Sequence, residues 1–162
     1  MLRIALITLA ICAECFIAAA ANPAFAPLWL YHGTWKVTRT GAAKPEDLIN
    51  QCSEIGQYFA CQQTANGVAG GLLVIVPTNE PGKYHTQVIQ PSGIATGLND
   101  LSIDGDRWTF YSRWNQGDKV TYYRTINTFN GKNRIHFEQD ESPDGKNWTT
   151  KNSGDEVRQA GR

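Results

Sequence analysis

The stretch DGDRWTFYSRWNQGDKVTYYRTINTFNGKNRIHFEQ, residues 104–139, decides the fold. Three pairs, Asp104-Gly105, Gln116-Gly117 and Asn130-Gly131, punctuate it. Between them Trp108, Phe110 and Trp114 alternate with Arg107, Thr109, Tyr111 and Arg113, and Val120, Tyr122 and Ile126 alternate with Thr121, Tyr123 and Thr125. Ile135 and Phe137 then alternate with Arg134, His136 and Glu138. A period of two is that of a strand with one buried face, and glycine in these pairs supplies the positive φ that a tight hairpin demands. The stretch reads as three antiparallel strands joined by short turns.

The same punctuation extends in both directions. Asn66-Gly67, Pro81-Gly82, Ser92-Gly93 and Asp144-Gly145 complete a series in which a turn glycine recurs every 11 to 15 residues. Gly33-Thr34-Trp35 opens a first strand with Trp35, Val37 and Arg39 on one face and Lys36, Thr38 and Thr40 on the other. Tyr58 to Thr64 is a strand that Asn66-Gly67 turns into the aliphatic run Leu72 to Val76, and Tyr84, Thr86 and Val88 mark another. Ile94 to Ile103, broken by Gly97, predicts a bulge or an irregular edge. Ala42 to Asn50, with Pro45-Glu46-Asp47 before Leu48-Ile49, suits one helical turn or a lid-like connection. Trp148 to Arg158 closes the chain with a polar strand. The predicted class is all-β, an antiparallel up-and-down meander of eight to ten strands.

Such a meander has two unpaired edges unless first and last strands meet. A sandwich would also bury the core, but short connections make neighbours in sequence neighbours in space, and closure removes the edges. A closed barrel is therefore expected, with an interior wide enough for packed side chains or one small ligand.

Met1-Leu2-Arg3, the apolar run Ile4 to Ala13 and the small residues Ala18 to Ala21 read as a signal peptide over residues 1–21, with cleavage near Ala20 or Ala21 and Ala26 as the rival site. An uncleaved anchor is the alternative. Residues 27–162 are one barrel domain, secreted or periplasmic. Fifteen basic and fifteen acidic residues cancel, which argues against nucleic acid and against docking to anionic lipid; a monomer is expected. Once the signal is removed Cys52 and Cys61 remain, most simply a disulfide in an oxidising compartment, with two buried free thiols as the alternative.

Few residues invite chemistry. His32, His85 and His136 form no ligand-spaced pair, and no metal or other cofactor is expected. Glu138 and Asp140 share the outward phase of their strand, and no serine stands in a nucleophile elbow. An enzyme is not expected. Arg124 shares a phase with Tyr122 and Ile126 and should point inward, where a guanidinium must be paired or meet an anionic ligand. Tyr84, Trp108, Phe110, Trp114, Tyr122 and Arg124 are accordingly the candidate cavity lining; the alternative is that Arg124 pairs with an inward aspartate or with aromatic faces.

Gly33-Thr34-Trp35, the hairpin meander and Arg158 in the last segment resemble the lipocalin, or calycin, superfamily. With the cysteine pair and Ser142-Pro143-Asp144-Gly145-Lys146-Asn147-Trp148, the chain is similar to exported, lipocalin-like bacterial proteins of an uncharacterised family. The resemblance implies a barrel in which Gly33 and Trp35 pack beneath Arg158, and a small, largely apolar or amphipathic ligand. The expectation is a binding barrel. Its rival is an interaction or inhibitor module with a packed interior, working through the loop Gly41 to Gln51.

Overall fold

The computed structural model describes residues 22–160; the expected signal peptide, residues 1–21, lies outside them. Ten strands follow two short 3₁₀ turns at Pro23–Phe25 and Pro27–Tyr31. They are β1 (Gly33–Arg39), β2 (Glu46–Ile55), β3 (Tyr58–Ala65), β4 (Val68–Pro77) and β5 (Lys83–Ile89), then β6 (Asn99–Asp104), β7 (Arg107–Gln116), β8 (Lys119–Asn130), β9 (Arg134–Ser142) and β10 (Thr149–Arg158). Each pairs antiparallel with its neighbour in sequence, and β1 pairs with β10, Trp35 opposite Arg158 and Val37 opposite Glu156. The meander is a closed barrel, and no strand edge is left open in it. No helix among the described residues is long and apolar enough to cross a membrane.

Two segments differ from the sequence expectation. The predicted lid-like connection over residues 42–50 is mostly strand: β2 pairs with β1 from Glu46 to Asn50. Its inward row is Glu46, Leu48, Asn50 and Cys52, in which charged and polar residues interrupt the apolar pattern, so the period of two is hidden. The loop expected at Gly41 to Gln51 shrinks to a turn before Glu46. Between β5 and β6, residues 90–98 form a longer excursion tied back by a bridge of Ile89 to Ala95.

One end of the barrel is corked. The two 3₁₀ turns drive Phe25 and Leu28 into a floor made by Trp35, Phe59, Ile75, Leu101 and Ile135, all nearly inaccessible to solvent. Phe25 stands 5.8 Å from the Phe59 ring, and the Tyr84 hydroxyl donates to the Ala24 carbonyl at 2.8 Å. Residues 23–26 thus pack as part of the barrel. Arg158 locks this end: its guanidinium lies 4.1 Å above the Trp35 ring and donates to the carbonyls of Leu30, His32 and Lys132. Gly33 has φ of +140°, and a Cβ there would strike that guanidinium, so the first residue of Gly-x-Trp has a steric reason to be glycine. Cys52 and Cys61 face each other across the β2–β3 hairpin with Cα atoms 4.0 Å apart and are joined as a disulfide.

Candidate functional site

Above the cork the interior is not filled. A cavity of about 430 Å³ opens toward the end opposite the 3₁₀ turns. Its lining is mixed. Val37, Leu48, Leu73, Val88, Phe110 and Phe137 supply apolar groups, with Thr86 and Ser112 beside those of β5 and β7. Tyr31, Arg39, Asn50, Gln63, Asn127 and Glu156 supply polar groups from the cork, β1, β2, β3, β8 and β10. Gly154 makes room beside them: a Cβ there would strike the Thr38 carbonyl and the Phe137 ring.

Glu156 is the chemical centre of this wall. Its side chain sits inside the barrel, the residue is 7% exposed, and Oε2 has no hydrogen-bond partner. Burial pushes its carboxyl up to about 7, against the opposing pull of the Arg39 guanidinium. Arg39 itself is engaged: its Nε donates to Glu46 at 3.2 Å, and the guanidinium lies 5.5 Å from the Phe137 ring. The Tyr31 hydroxyl is pushed above its ordinary range by burial and by Glu156, with Gln63 acting the other way. Gln63 in turn donates to Asn50 Oδ1 at 3.2 Å. Asn50 is fully buried, and its Nδ2 has no partner. Among the described residues these two side-chain atoms of the lining are buried without a partner, each costing roughly 1–3 kcal/mol of desolvation.

The six residues expected to line one cavity are not brought together. Phe110 lies on the wall. Tyr84 and Trp108 point inward but sit below it in the floor, where Trp108 packs 4.7 Å from Phe129 and 6.1 Å from Tyr31. Trp114 keeps the inward phase but stands at the rim, 63% exposed. Tyr122 and Arg124 are on the outer face, because the inward row of β8 is Tyr123, Thr125 and Asn127. Arg124 Nε donates to Asp140 Oδ2 at 2.7 Å, and its guanidinium lies 4.4 Å from the Trp148 ring. Tyr122 packs beside Tyr111, 6.2 Å away, and Tyr111 meets Trp148.

The phase of β8 was masked by this outer cluster. Ser142 to Trp148 folds over Tyr111 and Tyr122, held by Asp144, whose Oδ1 accepts from the backbone N–H groups of Lys146 and Asn147 at 2.8 Å each. A covered outer face carries aromatic residues much as a core does, so period alone cannot say which side is in. For Glu156 a signal did exist. Arg158 facing Trp35 fixes the phase of β10, and Glu156 lies two residues earlier on the same face.

Fold and site together define a closed ten-stranded antiparallel barrel with an internal chamber. No protein-family model matches the chain, nor does any curated protein. Among solved structures it is similar to Rv2717c from M. tuberculosis, with 16% identity and a TM-score of 0.52 over 86% of this chain and 99% of that one. At that identity the likeness speaks for the fold alone.

Proposed function

We infer that this chain is an exported, lipocalin-like, non-enzymatic barrel that binds one small amphipathic ligand in its chamber as a monomer. One observation carries the inference. A cavity of about 430 Å³ is lined by apolar residues such as Leu73, Val88 and Phe110 together with polar ones such as Asn50, Gln63 and Glu156, of which Asn50 Nδ2 and Glu156 Oε2 have no hydrogen-bond partner among the described residues. Buried polar groups in folded proteins are nearly always paired, and pockets with an apolar lining and a few convergent polar groups are the usual small-molecule sites. Export is supported by the basic, apolar and small-residue order of residues 1–21 and by the Cys52–Cys61 disulfide. A packed interior, which the interaction-module alternative needs, does not fit a chamber of this size.

Native mass spectrometry of the protein purified from a host that exports it tests the proposal. A small molecule should co-purify with the wild type and be absent from Ser112→Trp, which places an indole in the chamber from a wall position. A wild type that carries nothing and takes up none of a panel of amphiphiles overturns it.

A further inference from the structure

We propose that the open mouth of the barrel docks on the surface of a phospholipid bilayer. The proposal goes beyond the binding function and stands on the rim, not on the chamber. Strand order puts five connections at the mouth, those of β1–β2, β3–β4, β5–β6, β7–β8 and β9–β10. Val68, Leu98, Ile94 and Trp114, at 70%, 67%, 64% and 63% exposure, are the most exposed large apolar residues of the described chain, and all four stand there. They belong to three successive connections around the rim: Val68 opens β4, Ile94 and Leu98 lie in the excursion between β5 and β6, and Trp114 lies near the end of β7. The excursion, Gln90 to Leu98, contains no charged residue. Val68 is paired opposite Ala65, which lines the chamber, and Trp114 keeps the phase of the lining residue Ser112, so both sit on the inward phase at the lip.

Two observations select lipid as the occupant. The first is charge. Lys44, Lys119 and Lys146 stand in or beside these five connections, exposed and in no ion pair among the described residues. Of the acidic residues in the same connections, Asp144 turns its carboxylate into its own turn, accepting from Ser142, Lys146 and Asn147, which leaves Asp118. Basic and acidic residues balance over the whole chain, but the mouth has an excess of free ammonium groups. Such a rim matches a phospholipid surface: aliphatic and indole groups enter the boundary between head groups and acyl chains while the ammonium groups stay at the phosphates. The second is area. Four side chains at these exposures offer on the order of 500 Å², against roughly 800 Å² per partner in a stable protein interface. A second copy would be held weakly, whereas a fluid bilayer takes in each tip separately. With the mouth on the bilayer an amphiphile would pass between leaflet and chamber without crossing water, a consequence that does rest on the binding function.

Flotation of the mature protein with vesicles tests the docking, using phosphatidylcholine alone and phosphatidylcholine mixed with an equal part of phosphatidylglycerol. Wild type should float with the mixed vesicles and more weakly with phosphatidylcholine alone. Ile94→Asp combined with Leu98→Asp should weaken binding to the mixed vesicles at least about tenfold. Ile55→Asp, at the corked end and 60% exposed in the wild type, should stay within about twofold of it. Lys44→Gln combined with Lys119→Gln should weaken mixed-vesicle binding about fivefold or more and leave binding to phosphatidylcholine alone within about twofold. All of these side chains are exposed, and each variant should keep the far-ultraviolet spectrum of the wild type. A wild type that floats with neither vesicle overturns the docking, as does an Ile55→Asp loss equal to that of the rim variant or a lysine variant that loses nothing. A wild-type dimer in sedimentation velocity without vesicles, dissociated by the Ile94→Asp and Leu98→Asp pair, overturns it in favour of a second copy. No chamber ligand enters these assays, so the docking and the binding function fail separately.

Discussion

Replacing Glu156 with glutamine should make the protein more stable at neutral and alkaline pH, and the structure fixes the sign. Burial raises the folded-state carboxyl from 4.5 to about 7, because the charged form loses hydration inside the barrel and Arg39 restores only part of it. The folded protein therefore keeps this proton to higher pH than the unfolded chain does. Its contribution is fully present below about pH 4.5 and is lost as pH rises toward 7. A displacement of two to three pH units corresponds to roughly 3 kcal/mol at 1.36 kcal/mol per unit. Glutamine has the same shape and does not ionise. Thermal unfolding of wild type and Glu156→Gln from pH 4 to pH 9 should give equal midpoints near pH 4 and a gap that widens to roughly 10 °C at pH 8 and above. Other titrating groups act on both proteins and cancel in the difference. Asp144, for example, is held well below the ordinary carboxylate range by the N–H groups of Lys146 and Asn147. Parallel curves across the range would show that Glu156 is solvated or paired, and the description of the polar wall would be wrong.

Three further outcomes follow from the packing. Phe25→Ala should lower the urea-unfolding free energy by about 3–4 kcal/mol, since a fully buried ring leaves the cork, and N-terminal sequencing of the exported protein should find a start that precedes Phe25. Arg124→Met should leave amphiphile affinity unchanged within about twofold, because the side chain lies outside the barrel, while stability falls by about 1–3 kcal/mol as the buried Asp140 loses its partner. The double replacement of Cys52 and Cys61 by serine should cost about 2–3 kcal/mol on the chain-entropy account, read as a lower denaturant midpoint.

The parts of the molecule that were legible in the sequence are those where burial is one-sided. β7 and β9 show Trp108, Phe110, Ile135 and Phe137 inward with charged neighbours outward, and the paired turns between them are real. Illegible parts are those where the pattern has two sources. In β8 the outer residues Tyr122 and Arg124 are covered by the segment Ser142 to Trp148 or paired with Asp140, and Ile126 on the same face is also buried, so both faces look half-buried. In β2 the inward row carries Glu46 and Asn50 because it faces a chamber and not a packed core. Polar residues that line a cavity erase the signal that marks a strand, and the site hid the element that holds it.

By itself the sequence determined the strand reversals, the all-β class and the favoured closure of the meander, because turn geometry and side-chain alternation are local properties. It also pointed to Cys52 and Cys61 as a disulfide, which the structure joins. Only the tertiary structure decided which face of β8 is inside, that Pro23 to Tyr31 corks one end, and that Glu156 and Asn50 share one chamber from strands far apart in the chain. Whether a polar side chain meets water or is shut away from it depends on what the rest of the barrel places around it, and no short window of sequence contains that.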